Sequence, residues 1–108
     1  HYLNNVSSSF GSVLKPAGIE NSQGIILALY RKDANDPQWA NAPDVAAWKA
    51  FMAKYMPNGD VRDDGHNYGF SVAHTLLQAL RQAGDNLTRE NVMKEAANLK
   101  GYEAPLLL

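Results

Sequence analysis

The feature that most constrains the fold of this chain is an amphipathic stretch at residues 68–84. Its apolar residues recur at spacings of three and four, which predicts one continuous apolar stripe along a helix. The members of the stripe are Phe70, Ala73, Leu76, Leu77, Leu80 and Ala83. Gly84 follows at the position where a helix can end in a left-handed residue without a Cβ penalty. We therefore expect a long helix whose apolar face is covered by other elements.

Length, charge and residue usage exclude several classes of protein. A length of 108 residues predicts one domain at most. The net charge is −1 and no basic stripe is present, so no nucleic-acid partner is expected. Cysteine is absent, which excludes disulfides and thiolate metal sites. The longest apolar run, residues 25–30, is far too short to span a membrane. Both ends, His1 and the apolar run at 105–108, look like interrupted elements, so we expect a fragment of a longer protein.

Further elements precede and follow the long helix. In chain order we expect a strand tail at 1–5, a short helix at 10–14 that ends near Lys15, a strand at 24–30, a helical turn capped by Asp36, a helix at 44–56, a helix capped by Thr88 and ended by Gly101, and a strand or extended exit at 102–108. The apolar run within 24–30 is typical of a strand buried on both faces of a parallel sheet. This order of strands and helices predicts the α/β class.

Two of the helices have recognisable apolar faces. The inward residues of the helix at 44–56 are expected to be Val45, Trp48, Phe51, Met52, Tyr55 and Met56. The inward residues of the last helix are expected to be Val92, Met93, Ala96 and Leu99. Both sets follow helical spacing.

A charged loop at residues 60–67 contains four candidate metal ligands. They are Asp60, Asp63, Asp64 and His66. Their spacing matches neither a calcium loop nor the two-histidine pattern of zinc proteases, so a solvated loop explains them better than a metal site. His74 is interpreted as a packing residue. No nucleophile–base–acid triad is present, and we expect no enzymatic activity, no metal and no cofactor. A small metal-dependent enzyme that uses the loop at 60–66 is the alternative ranked last.

Two places carry groups suited to a small ligand. Ser7 and Ser8 precede the first short helix, where hydroxyl and backbone N–H groups either hold a carboxylate or phosphate or simply cap the helix. Tyr68 stands at the entrance of the long helix, where its ring could stack on a ligand.

Three stretches follow one another in an order typical of a known family. They are Val13-Leu14-Lys15-Pro16-Ala17-Gly18 with Gln23-Gly24-Ile25-Ile26, Asp36-Pro37 through Trp48-Lys49-Ala50-Phe51, and residues 68–80 with 86–93. They resemble the helix, turn and strand, the next crossover and helix, and the late helix pair of periplasmic substrate-binding proteins of the leucine/isoleucine/valine type. The ordered succession carries the resemblance, because no single motif is diagnostic.

The resemblance implies a fragment of the type I periplasmic-binding-protein fold, in which two lobes of parallel sheets flanked by helices enclose a small ligand. It places residues 1–30 in the C-terminal lobe, 31–39 in the interlobe crossover or hinge, and 40–108 in the N-terminal lobe. It implies a periplasmic receptor that delivers a small amino acid or carboxylate, aromatic acids included, to the permease of an ABC transporter. Lobe closure would enclose the ligand, with residues 31–36 absorbing the rotation.

The same resemblance implies which residues contact the ligand. They are Asn5, Val6, Ser7, Ser8, His66, Asn67 and Tyr68. The family's first loop often supplies a carboxylate for the ligand's ammonium group, but this loop has no acid, which leaves room for a carboxylate without an amino group. The alternative function is a small helical protein-interaction domain, which could be dimeric; residues 25–30 would then be helical or an interface. Unpaired strand edges also leave self-association of the fragment open.

Overall fold

A computed structural model describes residues 2–4 and 10–108 of the chain. In chain order its elements are strand β1 (Tyr2–Asn4), a π-helical turn (Phe10–Leu14), α1 (Lys15–Ala17), a 3₁₀ turn (Ile19–Ser22), β2 (Ile25–Leu27), a second 3₁₀ turn (Pro37–Trp39), α2 (Pro43–Tyr55), α3 (Asp64–Ala83) and α4 (Arg89–Ala97). The described residues are mainly helical, so the α/β class stays a prediction. None of the described helices is both long and apolar enough to cross a bilayer.

The first part of the chain contains one small parallel sheet. β1 pairs with β2, with Leu3 opposite Ile26. The strand predicted at residues 24–30 is therefore correct in type but limited to Ile25–Leu27. Its predicted burial on both faces is wrong, because Ile26 is 49% exposed. In the described part of the chain β1 is the one strand beside it, and an apolar sequence is buried only where another element covers it.

The first short helix runs further than predicted. We expected it to end near Lys15, but helical geometry continues through Pro16 to Ala17. Pro16 lies in the first turn of α1, where the missing N–H is not needed for an intrahelical hydrogen bond. The helix ends instead at Gly18, whose φ of 97° is easily reached only without a side chain.

The helix predicted at residues 44–56 is confirmed as α2, one residue earlier at each end. Proline at its first turn has a φ angle already suited to a helix. Half of the predicted inward face is buried: Val45, Trp48 and Met52. The other half is exposed: Phe51, Tyr55 and Met56. That half of the prediction is wrong, because the core contacts a narrower stripe of α2 than the sequence offers.

The long helix begins four residues earlier than predicted. Asp63 caps it by accepting from the backbone N–H of Gly65 at 2.8 Å, so residues 64–67, predicted as loop, form its first turn. The predicted end is confirmed, since Gly84 follows with a φ of 58° and its N–H donates to Leu80 O. The start was missed because the aspartate cap was interpreted as part of a charged loop.

The buried face of α3 differs from the predicted stripe. The residues buried on this helix are Asn67, Phe70, Ser71, Ala79 and Ala83. Leu76 and Leu77, both in the predicted stripe, are 54% and 41% exposed. The C-terminal segment binds the other side of the helix, where the Ser71 hydroxyl donates to Pro105 O at 2.8 Å. This packing buries Ser71 and leaves part of the apolar stripe uncovered.

The last helix is confirmed at its start. The Asn91 N–H donates to the Thr88 hydroxyl at 3.4 Å, as the capping pattern predicted. The helix ends at Ala97, with Asn98 as its C-cap, rather than at Gly101. The prediction of its inward face is partly wrong, because Met93 is 63% exposed.

The core lies where four parts of the chain meet: residues 31–39, called the crossover below, α2, α3, and residues 102–108, the C-terminal segment. Its buried residues are Ala34, Val45, Trp48, Met52, Phe70 and Leu106. The C-terminal segment is extended only in part: it turns at Leu106, which has a φ of 66° and no exposed surface. Leu107 then forms an antiparallel bridge with Arg31. The last residues thus fasten the crossover to the helical part of the chain.

Candidate functional site

A cavity of about 210 Å³ opens where the first part of the chain meets the crossover and the start of α3. Its lining consists of Phe10, Gly11, Leu27, Leu29, Arg31, Lys32, Asp33, Ala34, Asn35, Val61, Arg62, Asp63, Asp64 and Asn67. Residues on both sides of the crossover contribute, and they supply apolar surface as well as charges of both signs. The charged residues that begin at Arg31 follow β2 after Ala28, Leu29 and Tyr30, on the carboxyl side of a parallel strand, where open sheets place ligands.

Arg31 is the most connected side chain in this lining. Its Nε donates to Asp64 at 3.2 Å and its Nη2 donates to the second oxygen of the same carboxylate. Nη1 donates to the Tyr30 hydroxyl at 2.9 Å. The guanidinium lies 4.8 Å from the ring centre of Tyr30 and 5.0 Å from that of Tyr68. Arg31 therefore fixes the crossover to the first turn of α3 by a bidentate ion pair and by cation–π contacts.

Lys32 fastens the crossover to α2. Its Nζ donates to Asp44 Oδ2 at 2.7 Å, and the Leu106 N–H donates to the same oxygen at 2.9 Å. Burial raises the pKa of Asp44, but the hydrogen bonds from Lys32, Leu106 and Val45 and the charge of Lys32 together lower that pKa below its usual value. The carboxylate is thus ionised at neutral pH and joins three separate parts of the chain.

Asn67 is the buried amide of the cavity. Its side chain belongs to a residue that is 4% exposed, and Nδ2 donates to Lys32 O at 3.3 Å. Oδ1 is buried and has no hydrogen-bond partner among the described residues. Buried amide oxygens in proteins are normally paired, so the unpaired Oδ1 of Asn67 lowers the stability of the folded chain.

The acidic residues before α3 act separately rather than as a metal cluster. Asp60 accepts from Arg62, and this side-chain hydrogen bond, with that of the Arg62 N–H, lowers the pKa of Asp60 to about 2. Asp63 caps α3 and Asp64 pairs with Arg31. His66 Nδ1 lies 3.3 Å from Asp60 O. Within residues 2–4 and 10–108, no group of three or more acidic or histidine side chains is arranged to hold a metal ion.

Comparison with protein families assigns the chain. A family model described as "Periplasmic binding protein" matches residues 2–107. The chain belongs to this family. The family binds small-molecule solutes outside the cytoplasm, so this chain is a solute-binding receptor in that general sense. A search of curated proteins and a search of solved structures each gave no match.

The predicted ligand contacts of this periplasmic binding protein fall into two groups. Asn5, Val6, Ser7 and Ser8 lie outside the described residues. His66, Asn67 and Tyr68 lie in the first two turns of α3, but only Asn67 lines the cavity at the crossover. Successive helical residues point about 100° apart, as 3.6 residues make a turn. Three neighbours in sequence therefore face three different surfaces, and their role in binding stays a prediction.

The side chains of His66 and Tyr68 line two other grooves. His66 lines an apolar groove of about 460 Å³ between α2 and α3, with Trp48, Phe70 and His74. Tyr68 lines a groove of about 530 Å³ between α3, α4 and the C-terminal segment. The helix had been predicted to start at Tyr68, so the sequence could not assign these directions.

The sequence reasoning missed Arg31, Lys32 and Asp33 as lining residues. They were assigned to the hinge because of the resemblance alone. A local signal was present, since three charged residues follow directly on the apolar run at 25–30. Charged residues that follow a parallel strand are candidates for ligand contact in open parallel sheets.

Proposed function

We propose that this chain is a receptor that binds a small amino acid or carboxylate, aromatic acids included, and delivers it to the permease of an ABC transporter in the periplasm. It would act by lobe closure and have no enzymatic activity. The observation that carries the proposal is the cavity at the crossover, which residues before and after Tyr30 line together. A ligand held there touches both sides and favours their closed arrangement.

The charges of the lining suit such ligands. Arg31, Lys32 and Arg62 supply cations, each of which also pairs with a carboxylate of the chain, and Asp33, Asp63 and Asp64 supply carboxylates. Asp33 lies within the crossover and holds Asn35 through one oxygen only, at 2.9 Å from its N–H. It therefore offers an acid for an ammonium group, although the loop at 4–8 contains none. The strand at Ile25–Leu27 also supports a receptor over a helical interaction domain, which would need helix or interface there.

Hydrogen bonds of residues 30–32 support a narrower position for the hinge than the resemblance implied. The Lys32 N–H donates to Leu106 O at 2.8 Å and the Leu108 N–H donates to Tyr30 O at 3.0 Å. With the Arg31–Asp64 and Lys32–Asp44 pairs, these bonds tie residues 30–32 to the part that follows. We propose that rotation occurs at residues 28–29, before the crossover, rather than at 31–36.

A ligand screen on the purified chain tests the function. Thermal unfolding and calorimetry with the common amino acids, benzoate and phenylacetate should identify at least one ligand that raises the unfolding temperature. Leu29→Trp, which fills the cavity from an exposed lining position, should abolish that rise. Leu87→Trp is the control, because Leu87 is 62% exposed and lies outside the lining. If no small amino acid or carboxylate stabilises the chain, the proposal is wrong.

A further inference from the structure

We propose that the ligand of the cavity at the crossover is a basic amino acid, whose side-chain ammonium or guanidinium group lies against Asp33 and Asp63. This inference rests on the proposed function and names the substrate class of the same site, which is a slender solute with a net positive charge. It follows from the charge that remains in the lining once the ion pairs of the chain are formed.

Each cation of the lining is already paired with a carboxylate of the chain. The pairs are Arg31–Asp64, Lys32–Asp44 and Arg62–Asp60. The side-chain hydrogen bond from Arg62, with that of the Arg62 N–H, lowers the pKa of Asp60 to about 2. Even the most exposed of the three pairs is therefore neutral as a whole at pH 7. A ligand carboxylate would have to compete with an acid of the protein for every cation that the lining offers.

Two acids of the lining remain without a cation. Asp33 and Asp63 form no ion pair within residues 2–4 and 10–108. Each uses Oδ1 for a local hydrogen bond: Asp33 accepts from the Asn35 N–H at 2.9 Å, and Asp63 accepts from the Gly65 N–H at 2.8 Å. Asp33 is exposed and Asp63 is partly buried, so neither carboxylate is closed off from a solute.

The charge of the cavity is therefore negative overall. Lys15 also acts on Asp60, but more weakly than Arg62 does, and it lies outside the lining. The positive end of the α3 dipole offsets part of the charge of Asp63, so Asp33 is the stronger of the two sites for a cation. A cleft with an excess of one charge raises the local concentration of ligands of the opposite charge.

The rest of the lining suits the aliphatic part of a basic amino acid. Phe10, Leu27, Leu29 and Val61 supply apolar surface, and the methylene stems of basic side chains pack on such surface while their charged ends stay in a polar environment. The cavity of about 210 Å³ is smaller than most ligand pockets, which measure roughly 300–1,000 Å³. It therefore favours one unbranched chain over a bulky ring system.

Pairs of amino acids that differ in side-chain charge but little in shape test this inference on the purified chain. The probes are lysine with norleucine, ornithine with norvaline, and arginine with citrulline, each compared by calorimetry. The α-amino and α-carboxylate groups are common to both members, so the comparison isolates the charge of the side chain. In at least one pair the basic member should bind about tenfold or more tightly, because opposite charges attract strongly in a partly enclosed site.

Replacement of the two acids by asparagine tests their role. In the double variant of Asp33→Asn and Asp63→Asn the ratio within that pair should fall to about one, because asparagine keeps the local acceptors and removes the charges. Asp85→Asn is the matched control, since Asp85 is exposed and lies outside the lining, and the preference should persist there. If the double variant does not fold, Asp33→Asn alone, at an exposed position, should lower the ratio by about threefold or more.

The outcomes separate the two proposals. The basic ligand is overturned, and the receptor function stands, if the preference is below about tenfold in every pair or survives removal of the acids. The same conclusion follows if none of the six probes binds while another ligand of the wider screen does. Absence of binding by all six probes and by every ligand of that screen overturns the receptor function and the inference with it.

Discussion

Residues 2–30 and residues 31–108 differ sharply in how they use apolar sequence. None of the side chains described in the first region is fully buried, although it contains the apolar run at 25–30. All six residues of the core cluster belong to the second region. The difference arises because the second region closes on itself through contacts distant in sequence, of which Asp44 with Lys32 and Leu106 is an example. Apolar composition shows which side chains can be buried, while contacts between residues distant in sequence decide which of them are buried.

The core of the second region contains a tilted pair of aromatic rings. The ring centres of Trp48 and Phe70 lie 5.3 Å apart, with their planes tilted by 58°. Tilted pairs at this distance add to the free energy of burial. Trp48 therefore contacts both its own helix and α3, and it is the position where the contrast between the regions can be tested most strongly.

The largest expected effect comes from Trp48→Ala. Removing a side chain that is 1% exposed leaves a large cavity, and the free energy of unfolding should fall by about 3–5 kcal/mol. Leu3→Ala is the control in the first region, where the 84% exposed side chain should contribute less than about 0.5 kcal/mol. Urea denaturation followed by circular dichroism measures both. Similar losses of unfolding free energy in the two variants would contradict the difference in burial between the two regions.

A smaller effect is expected from Asp44→Asn. It removes the ion pair with Lys32, whose partners are only 20% and 19% exposed, and should lower the free energy of unfolding at pH 7 by about 1–2 kcal/mol. Because folding lowers the pKa of Asp44 from 3.8, its contribution is complete above that value and is lost as the pH falls through the folded pKa. Urea denaturation of both chains from pH 7 to pH 2 should show their difference shrinking below about pH 4. A constant difference would contradict the assignment.

The smallest effect concerns the boundary between the regions. The Lys32 and Leu108 N–H groups are hydrogen-bonded across the crossover, whereas the Leu29 N–H donates to no such partner within the described part of the chain. Hydrogen exchange should therefore be about tenfold or more slower at Lys32 and Leu108 than at Leu29. Equal protection at Leu29 and Lys32 would contradict a hinge at residues 28–29 and return it to the crossover.

Local signals predicted the helices well and their buried faces poorly. Thr88 caps its helix as predicted, because the interaction spans three residues. Burial of Asn67 depends on Lys32, which is 35 residues away, and periodicity carries no information about such a partner. The stripe through Leu76 and Leu77 was sought at helical spacing, but the C-terminal segment covers another side of α3.

The same division applies to the site. Asn67 was predicted as a ligand contact from a resemblance; it lines the cavity, and its role in binding stays a prediction. The unpaired oxygen could not have been anticipated, since it follows from the helix beginning at Asp64 and from the direction of one amide. Arg31 could have been considered from sequence, but its two ring contacts and its carboxylate partner require the folded chain.

Leu106 combines a left-handed backbone with complete burial, and these two properties demand different amino acids. Glycine would relieve a conformation that costs a leucine about 1–3 kcal/mol, but it would empty a site whose side chain contributes about 2–5 kcal/mol. Isoleucine or valine would fill the space and make the backbone worse, because branching at Cβ tolerates a positive φ least. None of these three residues satisfies both demands, so each of them in place of Leu106 should destabilise the folded chain.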